Sequence, residues 1–535
     1  MGIKSVFART KLADYGKAIR TAPREVIFNR RLLLTALLFA LGAVPLTWDQ
    51  GSSAVIATLP SFQKHFGIKS GSDAGEIKYF VSLVGIGDTI GAAGSFFIND
   101  RIGRLWSYRL YIGIWMVGQI LAILAPNISA LYAARIIQGC GIGALLVNGP
   151  ISLVEIAPPE IRGILTSWFT VVMGLAHGVS TFCVYGIYLN ENLAGSRFQY
   201  QIVWISPCIF MALCVVASFF LCESPRWLLL VDREEEAVQT LLKIRGIPYD
   251  SPRFQHELME IKDAIYQERQ FHGGGGKGAA SLKSILRETF TVPANLRRVQ
   301  QCLILYSLPQ LSGASSISSY LIPILKIVGV ANGTTRNLFL SGMYTMSKFF
   351  FALIASFLFV DALGRRRSLF VGITCQMLAD VYVGLYVKFQ QEGPVPNSVS
   401  QAAIAAIFIQ AFGYSVGLLT LPFVFAGELW PNRIRSFGAA MAQAFHRLFI
   451  YVMSFALPSL LENTNNWGAF IFFAAWCFVS LVYVYLLVPE ISGMSVEEMD
   501  CVFTGPWLAA RKYKRPAAVE AAEIASDTDN DGTIS

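Results

Sequence analysis

Charge is scarce in this chain. Only 15% of its 535 residues are Asp, Glu, Lys or Arg, whereas 54% are hydrophobic and 13% aromatic. Soluble domains carry roughly 25% charged residues, so this shortage, with a mean hydropathy of +0.51, excludes an ordinary soluble enzyme. Cysteine builds no framework either: the nine thiols are scattered singly, without metal-ligand or disulfide spacing, and most sit in apolar runs as packing residues. The 38 phenylalanines exclude a disordered chain. Also missing are a nucleophile with its base, a metal cluster and a phosphate-binding loop. Gly273–Gly276 reads as a flexible linker, because Lys277 is followed by Gly278 where such a loop needs a Ser or Thr to ligate magnesium. Neither an enzyme nor a bound cofactor or metal is expected.

Long charge-free runs are what the chain does have. Leu32–Trp48 and Trp467–Pro489 fall within the ~17–25 residues that cross a bilayer as a helix. The expected class is an all-α polytopic membrane protein with the lipid bilayer as its partner. The net charge of +8 could suggest nucleic acid, but its location argues otherwise. Lys4, Arg9, Lys11, Lys17, Arg20, Arg24, Arg30 and Arg31 precede the first apolar run against only Asp14 and Glu25, with no signal-peptide cleavage pattern. The positive-inside rule keeps that segment cytoplasmic, and Arg511, Lys512, Lys514 and Arg515 place the other end there too. An even number of spans follows, and no nucleic-acid partner is expected.

Apolar windows give twelve helices, centred near residues 46, 89, 116, 142, 175, 211, 314, 348, 378, 413, 447 and 478. The resulting plan is a cytoplasmic segment 1–31, a six-helix bundle 32–225, a cytoplasmic linker 226–298, a second six-helix bundle 299–489 and a largely disordered cytoplasmic tail 490–535. Within the linker, Arg233–Ile244 spaces Ala237, Leu241, Leu242 and Ile244 as one face of a short amphipathic helix. In the tail, Asp527-Thr-Asp-Asn-Asp-Gly532 copies the first half of a calcium loop without the bidentate glutamate that completes one. An acidic tail is the expected reading. Asn127-Ile-Ser129 and Asn332-Gly-Thr334 match the glycosylation pattern, in loops too short for ready modification.

The chain repeats itself. Asp100-Arg-Ile-Gly-Arg104 recurs as Asp361-Ala-Leu-Gly-Arg365. Glu155, followed by Pro158 and Arg162-Gly163, recurs as Glu428, followed by Pro431, Arg435 and Gly438. Glu223-Ser-Pro-Arg226 has a weaker counterpart at Glu490. Three pairs in one order and at nearly constant spacing imply a duplicated six-helix half. Parallel repeats of this kind place a substrate between the halves near the bilayer midplane and permit alternating access by rocking.

These residues resemble the major facilitator superfamily, and within it the sugar porter family. The resemblance rests on Trp48-Asp-Gln-Gly51, the two Asp-x-x-Gly-Arg motifs, Arg135 with Gly139, Gly141 and Gly143, Pro150 to Glu155, and Glu223-Ser-Pro-Arg-Trp227. Gln310-Leu-Ser-Gly313, Glu428 to Arg435 and Val488-Pro-Glu490 extend it through the second half. Asp49-Gln-Gly51, Leu59-Pro-Ser-Phe62 and Lys348 look most like fungal sugar, polyol and quinate carriers.

The resemblance implies a twelve-helix secondary transporter in two parallel halves, monomeric and in the plasma membrane. Its expected cargo is a small polyhydroxylated solute, a sugar first, driven by protons through Asp49 and its partner Arg135. A permanent buried salt bridge is the plainer reading of that pair. The cytoplasmic charges Asp100, Arg101, Arg104, Glu155, Arg162, Glu223 and Arg226, with Asp361, Arg365, Arg366, Glu428, Arg435 and Glu490, would form a latch whose strength differs between states. An inert positive collar is the alternative. Phe96 replaces a usual glycine and Leu105 a usual arginine, which implies a looser latch in the first half.

The implied substrate residues are Gln310, Ser315, Thr170, Phe423, His446 and Arg447. Several stand where the family has amides or tryptophan, so the case for plain glucose weakens. His446 and Arg447 would instead suit a carboxylated solute such as quinate or galacturonate, or Arg447 would pair with a helix such as that bearing Asp380, or snorkel. For Lys348 and Asp88, structural pairing or gating is the expected role. A facilitator for the same solutes and a non-transporting sensor are the rivals.

Overall fold

The computed structural model describes residues 24–68, 74–158, 161–193, 195–271, 282–328, 333–355, 365–393, 395–419, 430, 434–488 and 503. Asp361, Phe423, Glu428, Glu490, Asn332, the glycine run, residues 1–23 of the first basic segment and the tail motifs lie outside them, as do the side chains of Arg365 and Arg435.

The chain adopts the twelve-helix major facilitator fold. Span 1 is Arg30–Leu41 continued by Val44–Ile56, and spans 2 to 6 are Ala74–Ile102, Arg104–Leu124, Ile128–Ile156, Arg162–Leu189 and Phe198–Ser218. Span 7 runs in three pieces, Pro293–Leu311, Ala314–Ser319 and Leu321–Val328. Spans 8 to 12 are Thr334–Ile354, Arg365–Glu392, Asn397–Tyr414, Arg435–Asn463 and Trp467–Leu487. Among the described residues ten helices are long and apolar enough to cross a bilayer. Spans 7 and 8 complete the twelve: one is broken at Ser312–Gly313 and Tyr320, and the other carries Lys348.

Local sequence explains the breaks. Pro45 has no N–H to continue the Arg30–Leu41 helix, so span 1 restarts after Ala43. Gly313 takes φ +76°, a left-handed value, and a Cβ there would strike the Phe473 ring. Its absence lets span 7 bend against span 12.

Each half has its own apolar core, one around Phe39, Tyr108 and Leu145 and the other around Ile324, Val383 and Leu457. Spans 2 and 4 approach so closely that a Cβ on Gly91 would overlap the Cys140 carbonyl and one on Gly143 the Asp88 carbonyl. The halves meet along span 2 with span 11 and span 5 with span 8, pairings that a two-fold relation between the halves interchanges. Gly85 seats Tyr451 in the first interface, and Gly174 seats Phe349 in the second. The outward face is apolar, with Leu124, Leu213 and Phe220 exposed, as expected where hydrocarbon is the solvent.

The linker helices cover the end of the bundle that carries Arg104. The amphipathic segment is a helix, Glu234–Arg245, that buries Ala237, Leu241 and Ile244 and leaves Leu242 half-buried. Its neighbour Pro252–Phe271 contributes Phe254 and Leu258 to the same cluster beneath the first half. Leu282–Thr291 instead packs Ile285 against Val299 and Ile434 of the second half.

Candidate functional site

Asp49 lies on the second piece of span 1 and Arg135 on span 4. Arg135 is fully buried and binds both oxygens of the Asp49 carboxylate, Nη2 reaching Oδ2 at 3.0 Å and Nη1 closing on Oδ1. Its remaining donors go to the Phe80 carbonyl at 3.0 Å, Gln138 Oε1 at 3.0 Å and Ser53 Oγ at 3.2 Å. All five N–H groups of the guanidinium are therefore used. Phe80 lies over the same cation at 4.8 Å. Asp49 keeps slight exposure, accepts from Ser53 Oγ at 2.8 Å and borders a cavity of about 40 Å³. The cation is held rigidly while the carboxylate keeps access to that space.

A larger cavity of about 130 Å³ lies between the halves, close to the ~150 Å³ that accommodates a benzene-sized ring. Span 1 lines it with Thr47 and Gln50, span 5 with Thr170 and His177, span 7 with Ser315 and Ser318. Lys348 enters from span 8, and His446 and Arg447 from span 11. Its lining, among the described residues, contains two cations and no carboxylate. Lys348 Nζ donates to Ser318 Oγ at 2.8 Å and lies 5.0 Å from the Tyr414 ring centre. The Ser318 hydroxyl and two tyrosine faces hold it, and among the described residues no counter-ion pairs with it.

Gln310 is absent from that lining. It is fully buried behind His446 and hydrogen-bonds His446 Nε2 at 3.0 Å. The imidazole also packs on Tyr306, with ring centres 4.7 Å apart. The amide therefore orients the histidine and reaches the cavity through it. Arg447 belongs to the walls of both cavities. The carboxylate whose charge reaches it is Asp88 of span 2, whereas Asp380 stands near Tyr344 and Cys477. The pairing of Arg447 with Asp380 allowed by the sequence gives way to a neighbour across the interface between halves. His177, Thr47 and Gln50 carry no motif signal beyond span 1's Asp-Gln-Gly, and only the crossing of spans 1 and 5 brings them to the cavity.

The charge network of the first half is compact. Arg104 donates to Glu155 through Nε at 2.9 Å and Nη2 at 2.6 Å, to Asp100 Oδ1 at 2.8 Å and to the Asn99 carbonyl at 2.9 Å. Ser224 Oγ also donates to Glu155, at 2.5 Å. Glu223 accepts from the backbone N–H groups of Arg104, at 3.0 Å, and Leu105, at 3.0 Å. A carboxylate at the first turn of span 3 is the charge that its dipole favours. Burial nonetheless pushes the Glu223 carboxyl above its ordinary range, against those N–H bonds. Gly103, at φ +95°, brings the chain close enough for this contact. The Arg226 charge also reaches Glu155, and Arg101 is exposed outside the cluster. Phe96 packs against Phe437 of span 11, ring centres 5.5 Å apart, so an aromatic contact between halves stands where the family has glycine.

At the opposite end the halves are closed. Ile322 and Leu338 share one apolar cluster with Val55, Phe62 and Tyr200. Phe339 meets Tyr185 at 5.9 Å, and Lys78 donates to Ser459 Oγ at 3.2 Å. The larger cavity extends from Thr47 toward the charged end, where Ser167 and Leu353 line it.

Comparison with known proteins agrees with this architecture. Residues 35–503 match the sequence model of the family described as Sugar (and other) transporter. The quinate permease of Emericella nidulans is 28% identical over 497 residues, covering 90% of each chain. That of Neurospora africana is 28% identical over 504 residues, covering 91% of each. The structure of the proton:xylose symporter XylE bound to 6-bromo-6-deoxy-D-glucose superposes with a TM-score of 0.72 at 21% identity, covering 89% of this chain and 100% of that one. The inward open conformation of XylE from E. coli gives 0.70 at 20% identity, covering 88% and 99%. With the family match spanning both six-helix halves, the chain belongs to the Sugar (and other) transporter family.

Proposed function

We propose that this membrane transporter is a proton-coupled symporter that carries a small polyhydroxylated solute bearing a carboxylate, by alternating access between its halves. One observation carries the reading: the central cavity holds Lys348 and Arg447 and, among its described lining, no acid to neutralise them. A desolvated cation near the midplane is costly without an anion; among the described residues Lys348 has none, and Arg447 has Asp88 alone, on the side of the smaller cavity. The hydroxyls of Thr47, Ser315 and Ser318 suit a polyol ring, and His446, held by Gln310, adds a further polar contact. The relatives named quinate permease support the same class.

Asp49 is the proton carrier in this reading, because it borders a cavity while Arg135 cannot leave. The charged end faces the cytoplasm by the positive-inside rule, both termini lie there, and the protein works as a monomer in the plasma membrane. The network around Arg104 and Glu155 belongs to the latch that rocking loosens.

The test is uptake into proteoliposomes under an inward proton gradient, with quinate and glucose compared for wild type and Arg447→Gln. A charged hydrogen bond contributes ~1.5–3 kcal/mol, so quinate uptake should fall roughly 10- to 100-fold while glucose uptake changes little. Equal losses would remove the carboxylate. A neutral sugar is then the second reading, favoured by the hydroxyl and amide lining of Thr47, Gln50 and Ser318. Equilibration without accumulation would make the protein a facilitator, and binding without entry a sensor.

A further inference from the structure

Asp88 is nearly fully buried on span 2, and its Oδ1 has no hydrogen-bond partner among the described residues. Arg447 Nε, on span 11 of the other half, is likewise buried without one. Both side chains border the cavity of about 40 Å³ that also touches Asp49, and at ~10–15 Å³ per water position such a space has room for roughly three or four waters. An acid facing a cation across room for water is poised to exchange a proton rather than to hold a fixed bridge.

Three features tie this acid to transport. First, Arg447 lines both cavities, together with Gln50, Ser319 and Ile450, and so borders the solute space as well as the space that Asp88 borders. A carboxylate that enters the large cavity therefore competes with Asp88 for the same guanidinium. Second, Asp88 cannot retreat. Its backbone is wedged against Gly143 of span 4, where any Cβ would overlap the Asp88 carbonyl. Third, Asp88 and Arg447 belong to different halves, in contact along spans 2 and 11, so rocking changes their separation.

The charged and titratable groups around Asp88 come from each packed element. They are Asp49 on span 1, Arg135 and Cys140 on span 4, and Arg447 and Tyr451 on span 11. Arg135 has every donor committed, most of them to Asp49 and its neighbours, so Arg447 is the cation left to balance Asp88. Once a solute carboxylate takes Arg447, Asp88 faces the charge of Asp49 with no compensating cation of its own. Low-dielectric surroundings do not keep both acids ionised under those conditions.

Resting on the carboxylate reading above, we propose that Asp88 is a second proton-binding site, which takes up a proton when the solute carboxylate engages Arg447 and releases it when the solute leaves. Bond making is confined to one O–H on Asp88, formed with a proton from water and broken by return to water. With the proton on Asp49, each carboxylate travels with two protons and one net positive charge. By linkage, the solute binds more tightly as pH falls, and each proton taken up adds a tenfold change in affinity per pH unit.

The decisive experiment measures quinate binding to the purified full chain by calorimetry, at several pH values and in buffers of different ionisation enthalpy. Proton uptake per bound quinate should fall by close to one in Asp88→Asn, and the slope of log Kd against pH should fall by the same amount. Asp88→Ser is made in parallel, so a folding failure of one variant leaves the other to be read. A purely structural Asp88 would lower stability or occupancy without changing the proton count. An unchanged count in folded Asp88→Asn or Asp88→Ser, with the uptake lost instead in Asp49→Asn, overturns the inference and leaves the symporter reading intact. If wild type binds glucose but not quinate, the carboxylate reading itself fails and the second site fails with it.

Discussion

Arg245 donates to the carbonyl of Ile156 at 2.9 Å, which fastens the linker to the end of span 4. The same guanidinium grips Glu257 at 2.7 Å. A cation at a helix C-terminus satisfies an orphan carbonyl and opposes the dipole. The linker is thus joined to the first half by a buried ion as well as by the apolar cluster around Leu241 and Phe254.

Arg245→Ala strands Glu257 and uncaps span 4. Removing one partner of a buried pair costs roughly 3–5 kcal/mol, and the low end applies because the Glu257 side chain keeps 15% exposure. The apparent unfolding temperature in detergent should drop clearly. Glu257→Gln, which keeps a neutral acceptor, should fall by less than half as much.

Glu223 gives the charged end a pH response. Its carboxyl is raised by burial, so the folded chain holds more protons than the unfolded one above the ordinary carboxylate range. Stability therefore declines as pH rises from that range through the raised value. Glu223→Gln retains an acceptor for the N–H groups of Arg104 and Leu105 and removes the titration. Unfolding scans from acidic to neutral pH should show a shallower decline for the variant than for wild type.

The crossing of spans 2 and 4 predicts a sharp contrast between two glycines. Gly143→Leu drives a side chain into the Asp88 carbonyl, whereas a Cβ at Gly94 meets nothing within 4 Å. Overpacking costs roughly 1–3 kcal/mol or more, and two rigid backbones have no way to yield. Gly143→Leu should lose its monodisperse elution peak, while Gly94→Leu keeps it.

Arg135 and Asp49 should show strong coupling. Arg135→Ala leaves a buried carboxylate uncompensated, at a cost of roughly 3–5 kcal/mol. Asp49→Asn/Arg135→Ala should be more stable than Arg135→Ala alone. Thermal unfolding of the four proteins in the double-mutant cycle checks the sign, and additive losses would mean that the pair is not held as described.

Much of the fold could be read from the amino acids because lipid-facing spans are apolar by necessity. Even spans 7 and 8, one broken into pieces and the other carrying Lys348, are expected near residues 314 and 348 from their apolar windows. The linker helix was visible through Ala237, Leu241 and Ile244, but not the cap made by Arg245, since a contact with Ile156 depends on how the linker docks. The Asp49 and Arg135 pair came from the family motif, and its geometry accommodates both the coupling role and the fixed bridge. The cavity was less legible. His177 reaches it by a crossing angle, Gln310 stands behind His446, and Arg447 faces Asp88 rather than Asp380 because span 11 packs on span 2. Periodicity records which face a helix buries, and it carries no record of the helix that covers it.

In the proposed function a proton gradient drives a carboxylated polyol through the cavity lined by Lys348 and Arg447. The most direct measurement is uptake in proteoliposomes under an imposed inward proton gradient, with labelled glucose, a neutral polyol, quinate and galacturonate, with and without a protonophore. Accumulation of quinate or galacturonate above its equilibrium level, abolished by the protonophore and exceeding that of glucose, is the predicted result. Equal, gradient-independent equilibration of all four compounds would contradict it.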